Sequence, residues 1–329
     1  MTLHISESEV RALLTMPMAI EAVEEISRRQ ATGEAVVHAR RRIELPGGGY
    51  FHYMAGADFT AGFLGAKLYT FVRGNLGFLV SLYRIETGEL AALIEADAMG
   101  RLRTGAASGV ATKYLARRNA RIAAVIGTGG QARTQLEAVA AVRKLESARA
   151  FGRDPQRRER FCREMSERLG IPVLAAASAA EAVRDADIVC TATTASRAVL
   201  SGADLAPGAH VNAIGANHAH KRELDEEAVK RAGVVVADSI EQSRQEAGDL
   251  ILAFAGDESR WAAVQELQQV VSGKARGRSN DTEITLFKSN GIAVWDIAVA
   301  VRVFRMAKEK GMGRELPLWS EKRERPGGS

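Results

Sequence analysis

RIAAVIGTGGQA, residues 121–132, is the stretch on which the fold turns. An apolar run, Ile122 to Ile126, has the length and composition of a buried strand. Gly127, Gly129 and Ala132 follow it as G-x-G-x-x-A, and an amphipathic stretch, QARTQLEAVAAVRKL, comes straight after. The first glycine permits a tight turn, the second lets backbone approach a pyrophosphate, and the small third residue lets helix and strand pack closely. Gly130 and Gln131 open the helix, whose N-terminal N–H groups and positive dipole end favour an anion. A bare glycine trio says little and fits a structural βα turn as well. Here strand, turn, helix and a second strand, SARAFG, fall in the order that a dinucleotide site requires.

Downstream the same texture continues. PQRRERFCREMSERLG reads as a helix, IPVLAA as a strand and SAAEAVRD as a helix, and ADIVCTATT, AHVNAIGA and GVVVADS follow as apolar strands. Continuous apolar strands separated by amphipathic helices predict a parallel sheet covered on both faces. Upstream the pattern differs. Ser6 and Glu9 form a capping box, Pro17 suits the first turn of a second helix, and Gly33 ends it. Residues 36–95 then read as an antiparallel meander punctuated by PGGG, RGN and TGE, followed by a helix at about 97–117. The closing segment GIAVWDIAVAVRVFRMAKEKG is helical, and the polar tail EKRERPGGS is expected to be disordered. The fold class is therefore α/β, a Rossmann-type doubly wound parallel sheet over residues 119–291. An α+β domain is built from residues 1–118 together with 292–329. No internal repeat is present.

Composition narrows the partners. The 329 residues are 46% hydrophobic and 26% charged, the balance of an ordinary globular chain long enough for two domains. The net charge of +5 is scattered. Its densest runs, RRR at 40–42 and RDPQRRER at 153–160, are not interleaved with aromatics, which excludes a nucleic-acid surface. Cys162 and Cys190 form no CxxC and predict a reducing compartment without disulfides. The N-terminus lacks the pattern of a signal peptide, and no apolar run is long enough to span a bilayer. A cytoplasmic protein without membrane contact is expected.

The end of the second strand speaks to the choice of dinucleotide. An NAD-preferring fold places an acidic residue there for the ribose hydroxyls. Gly152 and Arg153 stand there instead, and a guanidinium suits a 2′-phosphate. NADP(H) is favoured, and Asp154 keeps NAD(H) possible; an exposed arginine at a helix start is the plainer reading of Arg153. Thr191 and Thr193, in CTATT, are placed to line the ribose or nicotinamide, or serve as ordinary strand threonines.

In RLRTGAAS, Arg103 and Thr104 lead a run of small residues that lets a helix approach another backbone or the cofactor. RTGAAS upstream of IGTGGQA, followed by AIGANHAHKRELD and DSIEQSRQEAGDL, resembles the ornithine cyclodeaminase and mu-crystallin family. The resemblance runs from RRRIELP to FKSNGIAVWDIA. It implies that Arg42, four residues before Pro46, holds the substrate carboxylate. It also implies that Lys67 lies by the substrate's carbonyl or amino group, and that Arg103 is a further carboxylate or cofactor clamp. A homodimer through the N-terminal domain, which borrows the last helix, is implied as well. Two guanidiniums suit an α-carboxylate, and a lysine buried among cations gains a lowered pKa fit for proton transfer.

Asn217 departs from the family. Cyclodeaminating and alanine-dehydrogenating members have an aspartate in this loop, and an amide cannot accept a proton at neutral pH. It can orient an imine. His218 and His220 flank the loop with no further ligand cluster, so no metal is expected; a local acid role for His218 is a hypothesis. Asp225 reads as a helix start, and Gly248 and Asp249 match the family pattern without a derivable role. Asn290 and Gly291 either touch the nicotinamide or cap the last helix. The expected function is NADP(H)-dependent reduction of small cyclic imino acids of the pyrroline- or piperideine-2-carboxylate type. One alternative is deamination of ornithine or alanine, and another is a cofactor-loaded binding protein without turnover.

Overall fold

The computed structural model describes residues 1–318, and the tail expected to be disordered, 321–329, lies outside them. Two eight-stranded sheets organise the described chain. The first contains β1 (Thr2–Ile5), β2 (Ala35–Val37), β3 (Arg41–Glu44), β4 (Tyr50–Asp58), β5 (Phe63–Val72), β6 (Asn75–Arg84) and β7 (Leu90–Glu95). The second contains β8 (Ile122–Ile126), β9 (Ser147–Phe151), β10 (Val173–Ala175), β11 (Ile188–Thr191), β12 (His210–Ala213), β13 (Ala232–Ala237), β14 (Gln265–Glu266) and β15 (Ile284–Lys288). A last strand, β16 (Arg314–Leu316), returns to the first sheet.

β4, β5 and β6 form the expected antiparallel meander, with Met54 opposite Lys67 and Lys67 opposite Val80. Period-two alternation assigns the faces. His52, Met54, Lys67, Val80 and Leu82 are buried, whereas Tyr53 and Leu64 point outward and are exposed. Lys67 therefore stands on the core face of a central strand, between apolar neighbours. β1, which the sequence reading does not name, pairs in parallel with β7. Four residues are too few to show a period, and only long-range pairing fixes them as a strand.

The second sheet runs β10-β9-β8-β11-β12-β15-β13-β14, all parallel. This is the expected Rossmann-type sheet, and its chain order reverses between β8 and β11. A crevice opens at such a reversal, beyond the carboxyl ends of the strands, and ligands bind there. β15, also unnamed in the sequence reading, is wholly buried and includes Lys288, whose charge masks the apolar run.

The helix Asp97–Leu115 is buried on nearly every side between the helices Met16–Thr32 and Gly130–Val142. The small residues of RTGAASG make this possible: a Cβ at Gly105 would collide with the Thr134 carbonyl oxygen, and one at Gly109 would lie 3.3 Å from Ala138. The helix Ala293–Glu309 packs on β4, β5 and the helix Met16–Thr32. The capping box at Ser6 and Glu9, and Gly33 in the left-handed conformation, appear as read from the sequence. No helix of the described residues is long and apolar enough to cross a membrane.

Gly105→Ala tests the close helix approach. Alanine is the better helix former by about 1 kcal/mol, but forcing two packed helices apart costs about 1–3 kcal/mol. A lower urea midpoint is expected. A variant as stable as the parent would show that the helices do not need the glycine.

Candidate active site

Two cavities adjoin at the switch point and share Gly129, Ala192, Thr193 and Thr194 in their walls. One, about 790 Å³, lies between the β8 turn and the end of β9, where Phe151, Gly152, Arg153 and Arg157 line it. The other, about 680 Å³, runs from Gly129–Gln131 to Lys67 and Arg103. Gly127 takes φ +113°, a conformation that glycine adopts without strain. A Cβ on Gly129 would meet no protein atom and would stand in the open crevice. The turn is thus a cradle that only a bare backbone leaves free, and its residues fit the pyrophosphate of a dinucleotide.

The second cavity ends in a buried charge cluster. Asp296, in the first turn of the helix Ala293–Glu309, accepts from Lys67 Nζ at 2.8 Å and from Arg103 Nε at 2.9 Å, both through Oδ1. Lys67 and Arg103 line the cavity, whereas Asp296 stands behind them, fully buried. Arg103 Nη1 has no partner among the described residues, nor has Asp296 Oδ2. Two glycines admit this cluster. A Cβ on Gly100 would lie 3.1 Å from Lys67 Nζ, and one on Gly291 would collide with the Arg103 guanidinium. Burial lowers the Lys67 pKa to about 8, with Arg103 and Arg40 acting the same way and Asp296 opposing them. For Asp296, burial alone would raise the pKa, but Arg103 and Lys67 hold it below the usual carboxylate range.

A second set of buried charges fixes the loops around the crevice. Glu223 accepts from Thr191 Oγ1, Thr193 N and Gly215 N at 2.6–2.8 Å, tying the loops after β11 and β12 together. Asp249 accepts from the backbone N–H groups of Glu223 and Leu224 and pairs with Lys288 at 2.9 Å. Lys288 in turn donates to the Ala216 carbonyl at 2.6 Å. Asp238 accepts from Asn290 N and Gly291 N, and Arg40 Nη2 donates to the carbonyls of the same two residues. The turn at 290–291 is therefore held from both sides.

The residues singled out in the sequence distribute unevenly over this site. Lys67, Arg103, Thr104, Gly130, Gln131, Asn217, Asn290 and Gly291 border the second cavity, and Thr193 borders both. Gly127 and Arg153 border the first, and Ala132 is buried in the core beneath the turn. Thr191 is a correction: it is fully buried and its hydroxyl turns to Glu223, away from the crevice. Arg42 stacks its guanidinium 5.3 Å from the Tyr50 ring centre and does not border the cavity, whereas Arg40 does. Three adjacent arginines give the sequence no means of telling which one turns inward. The acid role raised for His218 is also corrected. Burial lowers its pKa to about 4, helped by Arg42 and Lys221, so the ring is neutral at pH 7. Its Nδ1 lies 2.9 Å from Asn217 Oδ1, which can only accept. His218 thereby leaves the Asn217 amide N–H groups for the cavity.

Asn290 is not a helix cap, since the N-cap position of the last helix is Ile292. Asp225 does cap its helix, accepting from Ala228 N. Gly248 packs against the carbonyls of His218, Ala219 and Lys221, where a Cβ would collide. Among the described residues no group of three or more His, Cys, Asp or Glu side chains stands ready to hold a metal ion. Asp296, Glu223, Tyr69 and Arg40 belong to this site or its supports without carrying a motif of their own in the sequence. The Asp296 carboxylate in an otherwise apolar helix, VWDIAVAV, is the signal that could have been noticed.

Fold and site together define an α/β dinucleotide-binding protein with a buried lysine–arginine centre facing the cofactor crevice. The chain belongs to the ornithine cyclodeaminase/mu-crystallin family, whose profile matches residues 2–311. The Δ1-pyrroline-2-carboxylate reductase of Bacillus cereus is 40% identical over 261 residues, 77% of this chain and 80% of its own length. The solved Thermococcus litoralis Δ1-pyrroline-2-carboxylate reductase, in complex with NADH and L-proline, superposes with a TM-score of 0.91. It is 37% identical, covering 95% of this chain and 100% of its own. An archaeal alanine dehydrogenase dimer with bound NAD has a TM-score of 0.90 and is 33% identical, over 96% of this chain and 99% of its own.

Proposed function

We propose that this protein reduces small cyclic imino acids of the Δ1-pyrroline-2-carboxylate and Δ1-piperideine-2-carboxylate kind to proline-like amino acids, with NADP(H) preferred to NAD(H). The reaction class is that of an oxidoreductase acting on C=N bonds with a nicotinamide cofactor. The observation that carries the finer reading is a buried ammonium and a guanidinium that line one cavity beside the glycine turn, with Arg103 Nη1 left without a partner among the described residues.

The cofactor held along that crevice supplies hydride to the imine carbon. Arg103 binds the substrate carboxylate through its unpartnered Nη1, with Arg40 beside it in place of the expected Arg42. Lys67 gives a proton from Nζ to the imine nitrogen, so one N–H bond breaks and another forms. The neutral amine then regains its proton from solvent. With a pKa near 8, Lys67 is charged at neutral pH yet close enough to neutrality to release the proton. Asn217 orients the imine through its amide N–H groups. Because it cannot take up a proton, it argues against deamination of ornithine or alanine.

The cofactor preference rests on this chain's own residues. Arg153 and Arg157 border the first cavity, and the carboxylate of Asp154 is engaged as a helix cap, accepting from Arg157 N at 3.0 Å. A homodimer is proposed through the outer face of the meander. Ile43, Tyr53 and Leu64, apolar side chains there, are 51%, 41% and 41% exposed.

Purified protein should oxidise NADPH on addition of Δ1-pyrroline-2-carboxylate, and Lys67→Met should lower kcat by about 10²-fold or more without unfolding. No oxidation, or full activity in the variant, would overturn the assignment. Arg153→Glu should lower the NADPH-to-NADH ratio of kcat/KM by at least about tenfold, the loss of one charge-assisted contact; an unchanged ratio would remove Arg153 from cofactor selection. Light scattering should give twice the chain mass for the parent and a smaller particle for Tyr53→Arg. A monomeric parent would dispose of the proposed interface.

A further inference from the structure

Asp296 borders neither cavity, yet two of the cations proposed to act on the substrate, Lys67 and Arg103, end on it. It is fully buried, and a single oxygen, Oδ1, accepts from Lys67 and from Arg103. Its other oxygen is left without a partner among the described residues. An ionised carboxylate is costly to bury, and the position is maintained only where cations and the helix N-terminus compensate it. The arrangement also has a direction. Because Arg103 meets Asp296 through Nε, Nη1 is turned away and remains free. Because Lys67 is tethered at 2.8 Å, its ammonium is held against Gly100 at the cavity wall.

We propose that Asp296 is a positioning residue for this reaction, keeping Lys67 charged and aimed at the substrate nitrogen while turning Arg103 toward the carboxylate. The inference rests on the reading of Lys67 as proton donor. The groups facing the Lys67 ammonium make the need plain. From the helix Asp97–Leu115 come Arg103, and Asp97 already paired with Arg101; the segment before β3 brings Arg40, itself paired with Glu246. The rings of Tyr69 and Phe78 lie 6.0 and 5.1 Å away. Asp296 is thus the carboxylate in direct contact with Lys67, set against two guanidiniums and burial. Those three influences all favour neutral lysine, and only Asp296 opposes them strongly. Without it the ammonium would lose its proton at a lower pH, and less of the protein would offer the imine nitrogen a donor.

The sign of the pH effect follows. A proton donor is active below its pKa, so the rate should fall as pH rises through about 8 in the parent. Removing an opposite charge in contact moves a pKa by about 1–3 units. In Asp296→Asn the falling limb should therefore appear at least one pH unit lower, with about a fivefold or larger loss at pH 8. A purely structural role would lower stability and rate without moving the limb.

The test has a readout that does not need turnover. The cofactor-loaded protein is treated with acetic anhydride across a pH series, and acetylation of Lys67 is read by mass spectrometry of its peptide. The expected result is a half-reaction pH near 8 for the parent and at least about one unit lower for Asp296→Asn. Identical midpoints in the two folded proteins would overturn the proposal even if imine reduction were confirmed. A displaced midpoint in a protein that reduces no imine would uphold Asp296 and reject the reaction instead. Should Asp296→Asn fail to fold, Asp296→Glu serves: it retains the charge and should keep the parental midpoint at reduced kcat. A midpoint one unit lower in that variant would likewise count against the proposal.

Discussion

One buried carboxylate joins the working parts of this molecule. Asp296 comes from the last helix, Arg103 from the helix between the sheets and Lys67 from the meander, the acid standing 193 residues from Arg103 and 229 from Lys67 in the chain. A charge buried this deeply is tolerable only in company, and loss of one partner of a buried pair typically costs about 3–5 kcal/mol. The first sheet, the central helix and the closing helix are therefore fixed relative to one another at the end of the second cavity. Gly100 and Gly291 are the geometric conditions for it, since a side chain at either would press on the lysine or the arginine.

The cofactor side depends on the same device used a second time. Glu223 ties the loops after β11 and β12, and the Asp249–Lys288 pair steadies Glu223's backbone and the carbonyl of Ala216. Burial pushes the Glu223 carboxyl up, with Lys288 opposing. None of these groups faces the crevice directly. They hold loops whose backbone does, so that the turn at Gly127–Gly129 and the loop carrying Asn217 present fixed walls. Preorganisation of this kind is what the proposed reaction needs, since a ligand then meets the cavity's charged groups without rearrangement of the protein.

The strand, turn and helix at 122–142 were legible in the sequence because each signal is local: an apolar run, two glycines and a helical period. Lys67, Arg103 and Asn217 were singled out through the family resemblance, where composition alone would have made Lys67 a solvated strand lysine, and all three border the second cavity. Asp296, Glu223 and Asp249 were not, because a carboxylate declares its partner only when distant strands are brought together. Thr191 was misassigned for the same reason: the sequence gives a hydroxyl at a strand end, and only the folded loop shows Glu223 waiting on its buried side. Arg40 and Arg42 share one face by period two, and the choice between them depends on the contact Arg40 makes with Asn290 and Gly291.

In the proposed reaction hydride reaches the imine carbon directly while the protein supplies the proton to nitrogen. Reduction of Δ1-pyrroline-2-carboxylate in D2O with unlabelled NADPH, analysed by NMR of the proline formed, tests it most directly. The account predicts protium at Cα, because the hydrogen on carbon never exchanges with solvent. Deuterium at Cα would mean that this hydrogen comes from a solvent-exchangeable group, and the account would be contradicted.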